Sequence, residues 1–175
     1  MRRLALFGLP LVALGVPATA LALGAAAGDG TLVVQNGSAP RGVPVVTLVI
    51  NGTALGQVST GSPDQTDTVV IDDPNNTNGI GASITNDAPS LTRKTVSTTE
   101  TKFTGSDFRF RAAGGVYKIW IYGTGVNVFA VGKGTVILQG MPDASTPDGK
   151  YWLNGGDGHS LPVAPSDLLA IKSSG

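Results

Sequence analysis

Cysteine is absent from this chain, histidine and glutamate occur once each, as His159 and Glu100, and aromatic residues make up only 6%. Without cysteine there is no disulfide framework, thiolate metal site, catalytic thiol or lipid-modified cysteine. Exported animal domains this small usually lean on disulfides, so export of this chain would point to a bacterial source. Charged residues are 14%, against about 25% in an average soluble domain. Basic and acidic residues number twelve each, and setting aside Arg2 and Arg3 leaves a net charge of −2. The basic excess that a nucleic-acid partner requires is missing. With one glutamate, 25 glycines and 11 prolines, strong helix formers are scarce beyond the N-terminus. Valine, threonine and isoleucine fill the intervals, which favours short strands joined by turns. Few aromatics also mean that the core has to be aliphatic.

What is present begins with an address. "MRRLALFGLPLVALGVPATALALGAAAGDG" has a charged start, an apolar run and a small-residue end, the order of a secretory signal. Ala25 and Ala27 supply small residues at −3 and −1, so cleavage after Ala27 is the favoured reading. The competing reading is an uncleaved anchor, because Leu4 to Ala27 is long enough to span about 30 Å of hydrocarbon at about 1.5 Å per residue. Residues 28–175 follow as a single domain. No second apolar run of membrane length occurs in them, so membrane contact is expected only of the N-terminal segment.

The domain reads as all-β. "TLVVQNG" (Thr31–Gly37), "DTVVIDD" (Asp67–Asp73) and "IGASITND" (Ile80–Asp87) are strand candidates. Val43–Ser59 reads as a hairpin about Asn51-Gly52, since this pair supplies the two positive-φ residues of a type I′ turn. The Thr-rich Ser90–Gly105 reads as an edge strand or irregular segment. Phe108–Arg111, Val116–Tyr122, Val126–Val131 and Thr135–Gln139 are separated by "AAGG", "GTG" and "GKG", the spacing of an antiparallel meander. "GKYWLNGG" holds one more strand, and Pro165-Ser166-Asp167 caps a helical turn at Leu168–Ile171. Roughly eight to eleven short strands predict an antiparallel sandwich or a closed barrel. The alternative is a parallel β-helix.

The run "FRFRAAGGVYKIWIYGTGVNVFAVGKGTVILQG" resembles the C-terminal signature of small exported β-proteins from high-GC Gram-positive bacteria. It shares their phenylalanine–arginine strand, double glycine and valine-glycine-x-glycine turn, over about the last half of the domain. The resemblance implies export and an all-β fold, and carries over no functional residue.

Chemistry concentrates in three places. If Gly114-Gly115 turn a hairpin, Phe108, Phe110, Ile119 and Ile121 share an inward face. Arg109, Arg111, Lys118, Trp120 and Tyr122 then share the other, with Arg109 beside Trp120. Flat aromatics flanked by cations suit a sugar ring or an anionic polymer. The bland alternative is a wet sheet face with snorkelling cations. "DDPNNTNG" offers Asp73, Asn75 and Thr77 at alternate positions as oxygen ligands for calcium, against the commoner reading of an Asx-turn. No other cofactor is indicated. His159, in "DGHS", is the sole imidazole available for hydrolysis, although triad members usually converge from separate segments. The expected function is an exported, non-enzymatic binding or structural domain of the cell envelope or extracellular space, with a wall polymer or glycan as partner. The alternative is a small secreted hydrolase of glycan or ester substrates that uses His159.

Overall fold

The computed structural model describes residues 28–60, 65–74, 82–86, 91–142 and 149–172. The leader or anchor expected over 1–27 lies outside these residues. Every described element is a strand: β1 (Gly30–Gly37), β2 (Val46–Thr60), β3 (Asp67–Asp72), β4 (Ser83–Asn86), β5 (Thr92–Thr95), β6 (Glu100–Gly105), β7 (Phe108–Ala112), β8 (Val116–Tyr122), β9 (Val126–Leu138), β10 (Lys150–Leu153), β11 (His159–Ser160) and β12 (Leu169–Ile171). Among the described residues no helix is long and apolar enough to cross a membrane. Leu169–Ile171 pairs with β9 and is not the predicted helical turn. The Ser166 hydroxyl accepts a hydrogen bond from the Leu138 amide (3.0 Å), which ties this segment to β9.

The strands form one antiparallel sheet in the order β11-β10-β1-β9-β2-β8-β3-β6-β5, with β12 on β9, β7 on β2 and β4 on β7. The order runs between two free ends, so the sheet is not closed into a barrel. Pairing is antiparallel throughout the described strands, so the β-helix alternative is corrected too.

The predicted hairpins and meander are also corrected. Val43–Ser59 does not turn at Asn51-Gly52 but continues as the 15-residue β2. β7 and β8 do not pair with each other: β7 lies along Ala54–Val58 and β8 along Val46–Asn51 of the same strand. β9 runs through "GKG" and flanks the other side of β2. The three glycine signals therefore lie side by side. Between Ile50 and Ala54 of β2, the partner strand β9 has only Lys133, with Gly134 facing Ile50 and Gly132 facing Ala54. On the other side, Ala113–Gly115 span the gap between Ala112, which faces Ala54, and Val116, which faces Asn51. The Gly52 amide donates to the Gly115 carbonyl (2.8 Å) across this line. Gly52, Gly114 and Gly115 have φ of +107°, +67° and +114°. A positive-φ glycine serves a tight turn and a β-bulge equally well, and here it serves the bulge.

This line of bulges lets the sheet double back. Ile121 of β8 pairs with Val46, at the start of β2, while Val126 of β9 pairs with Thr60, at its end. From Tyr122 to Val126 is four Cα steps, at most about 15 Å. An unbent strand as long as β2 would hold those ends about 45 Å apart. The Gly123–Gly125 connection can be made only because the two ends of β2 have come together. One half of the doubled sheet contains β4, β7, the second part of β2, the first part of β9, β1, β10 and β11. The other contains β5, β6, β3, β8, the first part of β2, the last part of β9 and β12.

Alternation then fills one core from both halves. Leu32, Val34, Val58, Val128, Phe108 and Phe110 from one half join Leu48, Ile50, Ile71, Ile119, Ile121 and Leu138 from the other in a single hydrophobic cluster. Phe108, Phe110, Ile119 and Ile121 are at most 2% exposed, so the inward face read from the sequence holds even though the hairpin does not. Tyr117, also buried, fixes the bulge: its hydroxyl donates to the carbonyls of Ala113 (3.1 Å) and Gly114. Replacing Tyr117 with phenylalanine strands these acceptors and is expected to cost about 1–2 kcal/mol. The check is a lower urea midpoint at an unchanged m-value.

Candidate functional site: two outward faces

Each outward side chain is placed by the two-residue alternation of its strand and by the strands beside it. On β7, Phe108, Phe110 and Ala112 point inward, which leaves Arg109 and Arg111 exposed on the outside. On β8, Tyr117, Ile119 and Ile121 point inward, which leaves Lys118 exposed and Trp120 and Tyr122 half-buried on the outside. Because β7 and β8 border different parts of β2, these five residues belong to two faces. Arg109 lies beside Gln57 and Thr85, whereas Trp120 lies beside Thr47 and Val70. The expected Arg109–Trp120 pairing is thus corrected. The cation over the indole is Lys118, whose Nζ lies 4.8 Å from the ring centroid.

The face carrying the arginines is the more uniform. One cross-strand row reads Thr85, Arg109, Gln57, Phe129, Val33, Trp152. The row beside it reads Ser83, Arg111, Leu55, Val131, Thr31. Strands lie about 4.8 Å apart. Arg109, Phe129 and Trp152, on every second strand, are therefore spaced about 10 Å from one to the next. Leu55, Gln57, Ser83, Thr85, Arg109 and Arg111 also line a groove of about 400 Å³. Phe129, Val33 and Trp152 are half-buried. The Trp152 indole packs against the backbone of Gly158, where a Cβ would stand 2.7 Å from its Nε1. No acidic residue occurs in β1, β2, β4, β7, β9 or β10, so this face carries arginine and lysine without a carboxylate among its strands.

The other face mixes signs. Lys118 lies opposite Asp72, and Asp72 opposite Glu100. Lys102 lies opposite Lys94. Tyr122 closes this face at the β8–β9 turn. Its phenol is pushed up from its ordinary pKa by burial and by Glu100, so it remains a neutral donor and acceptor.

Asp73 is buried, and its Oδ2 accepts the Ala82 amide (3.2 Å). Asn75 and Thr77, the other proposed calcium ligands, lie outside the described residues. Among the described residues no three of His, Cys, Asp and Glu come together as a metal site. His159 is exposed on the short strand β11, opposite Tyr151, with ring centroids 5.5 Å apart.

Sequence reasoning missed Phe129, Gln57 and Trp152. The alternation of Val126–Val131 was legible and puts Phe129 opposite in sense to Val128. Which strand lies next to which was not legible, and that is what lines up the row. It also missed Asp67, at 1% exposure the most buried charged residue described. Neither of its carboxylate oxygens has a hydrogen-bond partner. Burial and the nearby Asp107 raise its pKa from 3.8 to about 7.

Compared with known proteins, the chain matches no family model, no curated protein and no solved structure.

Proposed function

We propose that this is an exported, non-enzymatic binding domain that holds an acidic polysaccharide of the cell envelope across its arginine-bearing sheet face. The observation that carries this reading is the row Arg109–Gln57–Phe129–Val33–Trp152 on a face whose strands contain no acid. A sugar ring has an apolar CH face and a polar rim. Phe129 and Trp152 supply flat partners for the first, and Gln57 and Thr85 supply hydrogen bonds to the second. Arg109 and Arg111 suit the carboxylates of such a polymer through paired N–H donors. The row crosses the strands, so the polymer runs perpendicular to them. We read the doubled-back sheet as a two-layer sandwich, which gives the row a rigid, flat support. Export follows from the signal-like N-terminus, in keeping with the resemblance to exported β-proteins.

The test is binding of the protein to polygalacturonate and to neutral dextran. Trp152→Ala and Arg109→Ala are each expected to weaken polygalacturonate binding tenfold or more, about 1.4 kcal/mol. Arg109→Ala should also flatten the salt dependence, because it removes a screened charge contact. Equal affinity for both polymers, or wild-type affinity in both variants, would reject the proposal.

A further inference from the structure

A second recess lies on the other half of the sheet, between the β1–β2 loop and the β8–β9 turn, with a volume of about 530 Å³. Its polar side chains are those of Ser38, Arg41, Thr66, Thr68, Thr124 and Tyr122, and none of the described residues that line it is acidic. The two walls are tied in place. The Gly125 amide of the turn donates to the Ser38 hydroxyl of the loop (2.9 Å). Within the loop the Val43 amide donates to the Pro40 carbonyl, and beyond it the Val45 amide donates to the Ile121 carbonyl, both at 2.9 Å. Thr68 is held beside Tyr122 by strand register. An aromatic ring, five hydroxyls and one guanidinium in a fixed recess form the same kind of constellation as the arginine-bearing row, now in a concave setting.

The two constellations stand on opposite outsides of one core. Tyr122 belongs to the strand that borders the first part of β2, and Phe129 to the strand segment that borders its second part. The inward residues of both parts meet in the same hydrophobic cluster, so the outward residues look away from each other.

We propose that the Tyr122 recess is a second site for an acidic sugar residue, so that one molecule bridges two polymer chains. This rests on the reading of the first face given above, and it makes the protein a cross-linker rather than a monovalent binder. Tyr122 contributes ring and hydroxyl, Arg41 takes the carboxylate, and the threonines hold the sugar rim.

Light scattering on mixtures of polygalacturonate with protein expressed from the full-length sequence tests the idea, alongside direct binding measurements. Scattering should rise as protein is added, then fall in excess protein as single-ended complexes take over. Arg41→Ala and Tyr122→Ala should each retain binding through the first face while losing scattering at least tenfold. Arg41 is exposed on a loop, so its variant tests the site even if the Tyr122 variant folds poorly. Trp152→Ala should lose scattering as well, by disabling the other end. Wild-type binding without scattering, or full scattering by Arg41→Ala, overturns the bridging proposal and leaves the first face standing. Absence of any polymer binding by the wild type overturns both.

Discussion

Replacing Gly134 with alanine is expected to destabilise the protein by about 3 kcal/mol or more, lowering the melting temperature by about 10 °C. A Cβ at this position would fall on the carbonyl oxygen of Val49 and stand 3.1 Å from Ile50 Cα. Both obstacles are backbone atoms of β2, held between β8 and β9 by ladders on either side, so no rotamer change relieves the clash. Relief would require the strands to part at the line where the sheet bends. Gly52 is the control. It sits on the same line, but a Cβ there meets nothing within 4 Å, and only its φ of +107° argues for glycine. Gly52→Ala should therefore cost only the backbone strain, about 1 kcal/mol. Thermal melts of the two variants distinguish close approach from backbone conformation as the reason for glycine. Equal losses would mean that β2 and β9 do not approach closely at Gly134.

The second large effect concerns Asp67. This carboxyl starts β3 on its inward side and lies so close to Gly123 that a Cβ there would collide with Oδ1. Burial first, then Asp107, raises its pKa from 3.8 to about 7. The folded protein therefore keeps a proton between about pH 4 and 7 that the unfolded chain has released. Stability is greatest below this window, declines as pH rises through it, and stays at the lower level above it. The full penalty is about 4 kcal/mol, since the rise from 3.8 to about 7 is about three pKa units at about 1.4 kcal/mol each. Asp67→Asn removes the ionisation and keeps the shape. It should match the wild type at pH 4 and exceed it by that margin at pH 8.5 in urea denaturation. A wild type equally stable at both pH values, with no gain from the substitution, would show that the carboxylate finds solvent or a partner.

The strand inventory was largely legible, and for a local reason. Alternation in "FRFR" and "KIWIY" is a property of a few consecutive residues, so it identified the inward face of Phe108, Phe110, Ile119 and Ile121 without knowledge of their neighbours. The Thr-rich segment was harder. Its β5 part, "TRKT", is exposed at every position and has no alternation to read, because it lies at the end of the sheet. The candidate site was legible only in part. Arg109 and Arg111 do share a face, as do Lys118, Trp120 and Tyr122, but the bulge at Ala113–Gly115 assigns the two groups to different faces.

By itself the sequence determined that the described domain is built from strands, that it lacks thiol chemistry, and that Phe108, Phe110, Ile119 and Ile121 face the core. These follow from residue propensities and a two-residue period, which act over a few positions. Only the tertiary structure decided that three glycine signals are bulges rather than turns, that β2 lies between β8 and β9, and that Arg109, Phe129 and Trp152 share a row. A positive-φ glycine permits the chain either to reverse or to bend. The choice is made by which distant strand completes the hydrogen-bond ladder and by which apolar side chains meet in the one core cluster, and those are contacts between residues far apart in the chain.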